Sequence, residues 1–454
     1  MLQFSQLSVE NQRVIIREDF NVPMQNGHIT HDARLIAAIP TLQMALQKNA
    51  CIILLSHLGR PEEGKVQAEF SLKPVAERLS ELLNHPVRFE PSLQFEIAPQ
   101  EIVLCENTRF LVGEKKNDPT LAKQLAALGD VFVMDAFAVA HRAEASTVGI
   151  AQYAKVACAG PLLMKELTAL ETVLKNPSHP VVAIVGGSKV STKIALLESL
   201  LEKVDILVLG GGIANTFLAA QGCFMGASLL EKDWIERARE LLAKAAKQQK
   251  IIWLPTDARV ASQFSPEATA QVFPLQSVTP THTPVTPTHT PVTPTHTPVT
   301  PAHTPVTLEH TPVTPTHTPV TPAYTPVTPA KAGVQSEQNP VQSSTPTMSP
   351  TDRMLDIGPL SEKSLQTLIA AAGTILWNGP LGVFEFPAFA HGTQVLAEAI
   401  ATSKAYSLAG GGDTLSAIAQ FGVTHRISYV STGGGALLEF LEGKILPGIA
   451  VLQN

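Results

Sequence analysis

Residues 181–194 read VVAIVGGSKVSTKI and combine an apolar run, a Gly-Gly turn and a polar segment that can open a helix. The apolar run has the length and the Val/Ile content of a strand buried on both faces. Glycine permits a sharp turn after it, and the Ser, Thr and Lys residues that follow suit the start of a helix. The stretch therefore predicts the strand–turn–helix unit of a parallel α/β sheet.

Six other short apolar runs have the same character, and amphipathic stretches such as 71–83 and 233–249 lie between several of them. The runs are RVIIRE (13–18), CIILLS (51–56), VFVMDAF (131–137), DILVLGGG (205–212), IIWLP (251–255) and TILWNGP (374–380). Strands alternating with helices predict parallel sheets covered on both faces. Because there are more predicted strands than one doubly wound sheet usually contains, we expect an α/β fold with two doubly wound, Rossmann-like parallel-sheet lobes. The Leu/Met spacing of 161–176 predicts a helix that connects them.

Composition excludes several classes of protein. The net charge of −6 argues against a nucleic-acid binder, which usually carries a basic stripe. The four cysteines are far apart and form neither a CxxC nor a Cys/His metal motif, which favours a reducing cytosol. Residues 1–19 lack the apolar core of a signal peptide, and no run of eighteen apolar residues occurs. We expect a cytoplasmic monomer without a nucleic-acid or membrane partner.

A proline-rich repeat interrupts the second half of the chain. Residues 281–329 are seven copies of a seven-residue unit, most often THTPVTP. Proline in every copy excludes a coiled coil, a helix and a central strand. We expect a disordered, partly polyproline II insert over about 277–350. Its recurring histidines suggest metal binding only weakly, because seven-residue spacing in a flexible chain provides little preorganisation.

Cationic and hydrogen-bonding residues follow the predicted strands of the first half. They are Arg17, Asp19, Asn21, His57, Arg60, Arg109, His141 and Arg142, while Arg34 precedes an apolar stretch. Ligands of open parallel sheets bind beyond the carboxyl ends of the strands, and Arg presents a planar fork to phosphate or carboxylate. A single arginine of this kind usually caps a helix or pairs with a surface acid. The recurrence in one half indicates an anion site.

Glycine-rich turns characterise the second half instead, at 186–187, 210–212, 379–382, 410–412 and 433–435. Glycine lets backbone N–H groups approach a phosphate, and a helix N-terminus adds partial positive charge. One such turn is weak evidence, since tight strand–helix turns need glycine anyway, and the pattern is neither a Walker P-loop nor GxGxxG. Repetition of the turns predicts nucleotide binding, with Lys189 and Lys193 supplying charge and Asp413 a candidate metal ligand.

Taken together, these segments resemble the phosphoglycerate kinase family closely and in the family's order. They are REDFNVP (17–23), DARLIAAIPT (32–41), SHLGRP (56–61), ENTRF (106–110), DAFAVAHRAEAST (135–147), GGSKVSTK (186–193), GGGIANTF (210–217), DIGP (356–359), WNGPLGVFE (377–385), GGGDT (410–414) and STGGGALLEFLEGKILPG (431–448). The resemblance spans nearly the whole chain outside the repeat. So many ordered motifs are far more specific than any one of them.

The resemblance implies two lobes with separate sites. Residues 1–170 would form the 3-phosphoglycerate lobe, to which about 435–454 return, and 171–434 the nucleotide lobe. The implied substrate-binding residues are Arg17, Asp19, Phe20, Asn21, Arg34, His57, Leu58, Gly59, Arg60, Arg109 and Arg142. The implied nucleotide-binding residues are Lys193, Glu385, Gly411, Gly412, Asp413 and Thr414. Arg34 and Lys189 would be catalytic, and Asp413 would hold Mg²⁺ on the phosphates of ATP or ADP.

The expected activity is reversible phosphoryl transfer between 1,3-bisphosphoglycerate and ADP, giving 3-phosphoglycerate and ATP. Two alternatives remain open at this point. One is a non-catalytic scaffold whose repeat is an interaction segment, although a scaffold has no need of the Arg, Lys and Asp set. The other is a nicotinamide-dependent dehydrogenase, which would bind that cofactor where ADP is expected.

Three features depart from the family pattern. Glu18 lies where many members have an apolar residue, so it either weakens substrate affinity or points outward. Thr256 and Arg259 lie where Val is common, which raises a question about local packing. The repeat takes the place of a short connection.

We predict that replacing 277–350 by a short Gly/Ser connector keeps kcat and KM within a few-fold. Lengthening a loop from about five to about eighty residues costs only about 2.4 kcal/mol, which an ordinary domain tolerates. The shortened protein should therefore be more stable by up to about 2 kcal/mol. Steady-state kinetics and urea unfolding of both proteins measure this. Loss of activity or of folding in the shortened chain would favour the scaffold hypothesis.

Overall fold

The structure is a computed structural model and describes residues 1–275 and 348–453. Of the predicted insert at 277–350, all but the last three residues lie outside the described part of the chain. The insert joins two short strands of the second half, Gln271–Pro274 and Arg353–Ile357.

Strands and helices alternate along most of the chain. The strands are β1 (Arg13–Arg17), β2 (Met24–Gln25), β3 (His28–Ile29), β4 (Cys51–Leu55), β5 (Val87–Glu90), β6 (Ile102–Cys105), β7 (Val131–Met134), β8 (Val156–Ala159), β9 (Val181–Val185), β10 (Ile206–Leu209), β11 (Ile251–Trp253), β12 (Asp257–Ala261), β13 (Gln271–Pro274), β14 (Arg353–Ile357), β15 (Thr374–Asn378), β16 (Tyr406–Gly410) and β17 (Tyr429–Ser431). The helices are α1 (Ala33–Gln47), α2 (Lys73–Leu83), α3 (Pro119–Ala126), α4 (Ile150–Tyr153), α5 (Pro161–Leu174), α6 (Ile194–Lys203), α7 (Gly211–Ala220), α8 (Ile235–Lys247), α9 (Pro359–Ala370), α10 (His391–Thr402), α11 (Gly412–Gln420), α12 (Gly434–Leu441) and α13 (Pro447–Ala450).

Two six-stranded parallel sheets organise these elements, which confirms the predicted fold class. The first has the order β5-β6-β4-β1-β7-β8 and the second the order β11-β10-β9-β15-β16-β17. In each sheet the strand order reverses near the centre, beside β1 in the first and between β9 and β15 in the second. Such a switch point opens a crevice beyond the carboxyl ends of the strands, where ligands bind.

Local sequence explains where the elements begin and end. The strands of both sheet centres are aliphatic runs such as VVAIV in β9, buried along their whole length. Helix α3 starts with Pro119, and the side chain of Asp118 accepts hydrogen bonds from the N–H groups of Thr120 and Leu121. Helix α2 ends where Asn84 adopts a left-handed conformation.

Helix α5 is the predicted connecting helix, and it joins β8 of the first sheet to β9 of the second. Its buried residues, among them Leu163 and Leu170, belong to a core cluster that also contains residues of both sheets. The C-terminal segment packs beside the first sheet: Gly448 N donates a hydrogen bond to Ala140 O over 2.9 Å, and the rings of Phe137 and Phe440 meet edge to face. The proposed lobe boundaries at 170 and 434 stay predictions.

The sequence did not predict three short strands of the first sheet, β5, β6 and β8, or the small antiparallel sheet β13-β12-β14. Two of the three, β5 and β8, are only partly buried, so no run of large apolar residues marks them in the sequence. Within the part of the chain that the structure describes, no helix is both long and apolar enough to span a lipid bilayer.

Candidate functional site

Basic residues gather at the carboxyl edge of the first sheet, as predicted. Arg17 ends β1, the loops after β4, β6 and β7 carry four others, and Arg34 lies in the first turn of α1. We call this set the arginine face; its members are Arg17, Arg34, His57, Arg60, Arg109 and Arg142.

His57 lies at the centre of the arginine face and is buried. Burial, together with the positive charges of Arg17, Arg109, Arg142 and Arg34, lowers the pKa of His57 well below its usual value. The imidazole is therefore neutral at physiological pH. The distances agree with this convergence: Asp19 lies 3.8 Å from His57 and 2.8 Å from Arg34.

Arg17 is fully buried and held by three groups. Its Nε donates to Ser146 Oγ over 3.0 Å, one Nη donates to the carbonyl of Glu18, and Nη2 lies 3.4 Å from His57 Nδ1. Because all three contacts involve nitrogen atoms of the planar guanidinium group, they fix the orientation of Arg17 before a ligand binds.

Arg34, in the first turn of α1, is paired with segment 17–21. Its Nη1 lies 2.8 Å from Asp19 Oδ2 and donates to Asn21 O over 2.9 Å. The side chain of Asn21 in turn accepts a hydrogen bond from Gly59 N over 2.8 Å. Gly59 has φ of +62°, and a Cβ there would lie 2.3 Å from the Phe70 ring, so glycine is required at this turn.

Arg109 and Arg142 share one acid, Glu144, at 3.7 and 3.9 Å. Arg109 also donates to Gly59 O over 2.5 Å, yet its buried Nε has no hydrogen-bond partner. A buried unpaired donor is costly unless a ligand satisfies it. Arg60 is exposed at the rim of the face.

Two predicted substrate residues have buried side chains. Phe20 and Leu58 belong to the core cluster of the first sheet. Any contact they make with a ligand must therefore come from the backbone, and Phe20 N is already engaged with Ser56 Oγ at 2.8 Å.

A cavity of about 500 Å³ opens at the carboxyl edge of the second sheet. Turns after β9, β10 and β15, and the first turn of α11, contribute to its lining; we call these glycine-rich turns the glycine face. Of the predicted nucleotide residues, Glu385 and Asp413 line the cavity directly. Gly411, with φ of +102°, and Gly412 begin α11 beside it, and no atom lies within 4 Å of a Cβ built on Gly412. Open backbone at a helix N-terminus suits a phosphate.

Lys193 is half-buried and donates to neutral oxygens, Gly186 O and Asn378 Oδ1, each over 2.7 Å. Burial lowers the pKa of Lys193 to about 8, while the charge of Asp413 opposes that shift. An anionic ligand would raise that pKa again and so favour the charged form further. Lys189, the predicted catalytic lysine, is exposed on the turn that follows β9.

The remaining predicted residues of this face have clear positions. Thr414 is buried, and its Oγ1 accepts a hydrogen bond from Gly379 N over 2.7 Å, so it supports the turn after β15. Asp413 is exposed, in the first turn of α11. Within 1–275 and 348–453, no group of three or more His, Cys, Asp or Glu side chains is arranged to hold a metal. One carboxylate fits Mg²⁺, which proteins commonly hold by one or two carboxylates together with substrate phosphates.

Sequence reasoning missed several residues of the cavity. Asn215 lines it and is buried with its Oδ1 unpartnered, and the rings of Phe264 and Phe386 line it 4.9 Å apart. The motif GGGIANTF contained the signal for Asn215. Phe264 lies in an irregular loop after β12, where no pattern marks it. In the described part of the chain, no hydrogen bond or ion pair joins the arginine face to the glycine face.

The departures from the family pattern have structural explanations. Glu18 does not point outward, because it is 1% exposed, which corrects that alternative. Arg259 forms an ion pair with Glu362 and lies 3.7 Å from the buried Asp356, so its charge is matched within the lobe. Thr256 is exposed, so its side chain does not enter the packed interior.

Two parallel-sheet lobes, one with a cation-lined edge and one with a glycine-lined cavity, form an architecture suited to phosphoryl transfer. The sequence profile of the phosphoglycerate kinase family matches residues 4–286 and 317–444. The chain is 46% identical to the phosphoglycerate kinase of Coxiella burnetii, over 99% of this chain and 98% of that protein, and 44% identical to that of Francisella tularensis over 100% and 98%.

Solved structures agree with this match. The structure of phosphoglycerate kinase from Coxiella burnetii superposes with a TM-score of 0.80 at 46% identity, and that from Pyrococcus horikoshii with 0.73 at 26%. Each comparison covers 100% of this chain and 98% of the other. The chain therefore belongs to the phosphoglycerate kinase family, and it is a kinase.

We predict that His57 makes stability depend on acid pH. Because its pKa is lowered in the folded state, the unfolded chain takes up a proton first as the pH falls. The contribution of His57 to the free energy of unfolding is fully present above about pH 6.5. As the pH decreases below that value, the contribution decreases by up to about 1.4 kcal/mol per pH unit. Urea unfolding at a series of pH values should show a shallower slope in His57→Asn than in wild type. Equal slopes would contradict the assignment.

Proposed function

We propose that the arginine face binds 3-phosphoglycerate and that the glycine face binds ADP or ATP. As a member of the phosphoglycerate kinase family, the chain transfers a phosphoryl group between 1,3-bisphosphoglycerate and ADP in glycolysis. The observation that carries the assignment is the cluster of arginines around His57 at one sheet edge, linked through Asp19 and Glu144, with a glycine-lined cavity at the edge of the other. The comparisons give no support to the scaffold or dehydrogenase alternatives.

The reaction needs no general base. The attacking group of 3-phosphoglycerate is a carboxylate that is already ionised at neutral pH. Catalysis is then positioning and charge stabilisation of an in-line transfer. Arg34 and Lys189, with backbone N–H groups of the glycine face, would neutralise the equatorial oxygens of the phosphoryl group. Mg²⁺, when held by Asp413 and the nucleotide phosphates, supplies further positive charge.

The lobes must approach each other for transfer, because the two faces lie on different sheets. Closure also excludes water, which would otherwise accept the phosphoryl group. Helix α5 and the returning C-terminal segment are the proposed hinge, since both join the two sheets. The protein acts on small molecules and works as a cytoplasmic monomer in this proposal.

A coupled assay of ATP-dependent 3-phosphoglycerate turnover by the purified chain tests the proposal directly. Formation of 1,3-bisphosphoglycerate that requires Mg²⁺ is the expected result. A folded chain without turnover would overturn it and favour the scaffold.

Replacing Arg34 by Ala should lower kcat by roughly 10²–10³, with a smaller change in the affinity for 3-phosphoglycerate. The reason is that Arg34 would act on charge that develops only during transfer. Arg78→Ala is a matched control, because Arg78 is a neighbouring arginine paired with Asp32 and lies outside both faces. A folded Arg34→Ala enzyme with near-normal kcat would refute this role.

Substitutions on the two faces should separate the two ligands. Asp413→Ala and Lys193→Ala should weaken binding of the Mg²⁺-nucleotide while 3-phosphoglycerate still binds. Arg60→Ala and Arg142→Ala should do the reverse. Calorimetric titration of each ligand into each variant measures this. Equal loss of both ligands in every variant would mean that the sites are misplaced.

A further inference from the structure

A buried carboxyl pair connects segment 17–21 to the end of β7. Glu18 follows β1 and Asp135 follows β7, its neighbour in the sheet, and the two are 1% and 0% exposed. Both line a cavity of about 10 Å³, no more than the room that one water needs. Glu18 Oε1 has no hydrogen-bond partner if both groups are taken as ionised acceptors. If one proton is shared between the two carboxyls, Glu18 gains a hydrogen-bond partner in Asp135.

Asp135 connects three parts of the structure. Its side chain accepts hydrogen bonds from Thr41 Oγ1 of α1 over 2.5 Å and from Leu163 N of α5 over 2.9 Å. Its own N–H donates to Arg17 O over 3.0 Å. Helix α1 carries Arg34 in its first turn, and α5 connects the two sheets. A side chain bonded to Asp135 is therefore coupled to both helices.

The surrounding charges favour the proton on Glu18. Burial and the adjacent Asp135 raise the pKa of Glu18 well above its usual range, and Asp19 adds to this while Arg17 opposes it. Burial also raises the pKa of Asp135 to about 6, but the donors of α1 and α5 favour its ionised form.

The other elements packed around the pair carry few titratable groups. Arg34 of α1 lines the same cavity. Burial raises the pKa of Cys158 on β8 and of Tyr429 on β17, and the charge of Asp135 adds to both shifts, so both groups stay neutral. Neither group can take the proton from Glu18.

We propose that Glu18 is a positioning residue for the transfer: its neutral carboxyl donates a hydrogen bond to Asp135 and so fixes segment 17–21, with its substrate residues, relative to α1 and α5. This inference rests on the proposed function. Loss of the proton puts two negative charges in a space too small to hydrate them. Segment 17–21 then shifts, and the arginine face loses its alignment for 3-phosphoglycerate.

Two substitutions of similar size separate the hydrogen bond from packing. Glu18→Gln keeps a donor that does not titrate, whereas Glu18→Met removes the donor. We measure kcat and KM for 3-phosphoglycerate from about pH 6 to about pH 10 in wild type and both variants. Titration of Lys193 and of other groups is common to all three proteins, so only differences between them are interpreted.

The expected result has two parts. Near neutral pH, Glu18→Gln stays within about 3-fold of wild type in KM, while Glu18→Met raises KM about 10-fold with kcat little changed, the loss of roughly one buried hydrogen bond. At alkaline pH, KM rises in wild type but not in Glu18→Gln. A merely structural carboxyl predicts no such difference in pH profile.

Equal KM values for Glu18→Gln and Glu18→Met, or the same alkaline rise in Glu18→Gln as in wild type, would overturn the inference. If Glu18→Met does not fold, the profiles of wild type and Glu18→Gln decide alone. Failure of the proposed function looks different, because wild type itself would then not turn over 3-phosphoglycerate.

Discussion

The parallel arrangement of the strands is the constraint on which both faces depend. Parallel strands end at the same sheet edge, so every loop after a strand reaches one surface. In the first sheet this brings together residues as far apart in the chain as Arg17 and Arg142. In the second it brings the glycine turns after β9, β10 and β15 to one cavity. An antiparallel sheet of the same sequence length would divide these loops between two edges.

The two faces offer positive potential to an anion in different ways, one through charged side chains and the other through backbone N–H groups. The arginine face concentrates cations, and only a few carboxylates compensate their charge. Asp19 pairs with Arg34, and Glu144 is shared by Arg109 and Arg142. The glycine face uses little formal charge and relies on open backbone, with Lys193 held by neutral oxygens. Both faces keep hydrogen-bond donors available for an anion, and these donors are oriented before the anion binds. Electrostatic catalysis depends on such preorganised donors.

Contacts between the halves of the chain are polar as well as apolar. Glu166 in α5 is buried and accepts a hydrogen bond from Thr432 N over 3.0 Å, beyond the end of β17. Asp135 accepts a hydrogen bond from Leu163 N in the first turn of the same helix. Helix α5 is thus tied to each sheet by a carboxylate near its first turns. These hydrogen bonds fix the position of α5 relative to both sheets, so the helix is not a flexible linker.

The sequence by itself determined the α/β class, the two sheets, the connecting helix and the family, because aliphatic strand periodicity and ordered motifs are local properties. It also identified the members of the arginine face, most of which follow strands. Tertiary structure alone decided that Phe20 and Leu58 point into the core, that Asn215 and Phe264 line the cavity, and that Glu18 is buried. Burial and pairing depend on neighbours distant in sequence: Glu18 and Asp135 are 117 residues apart, and only the adjacency of β1 and β7 brings their carboxyls together.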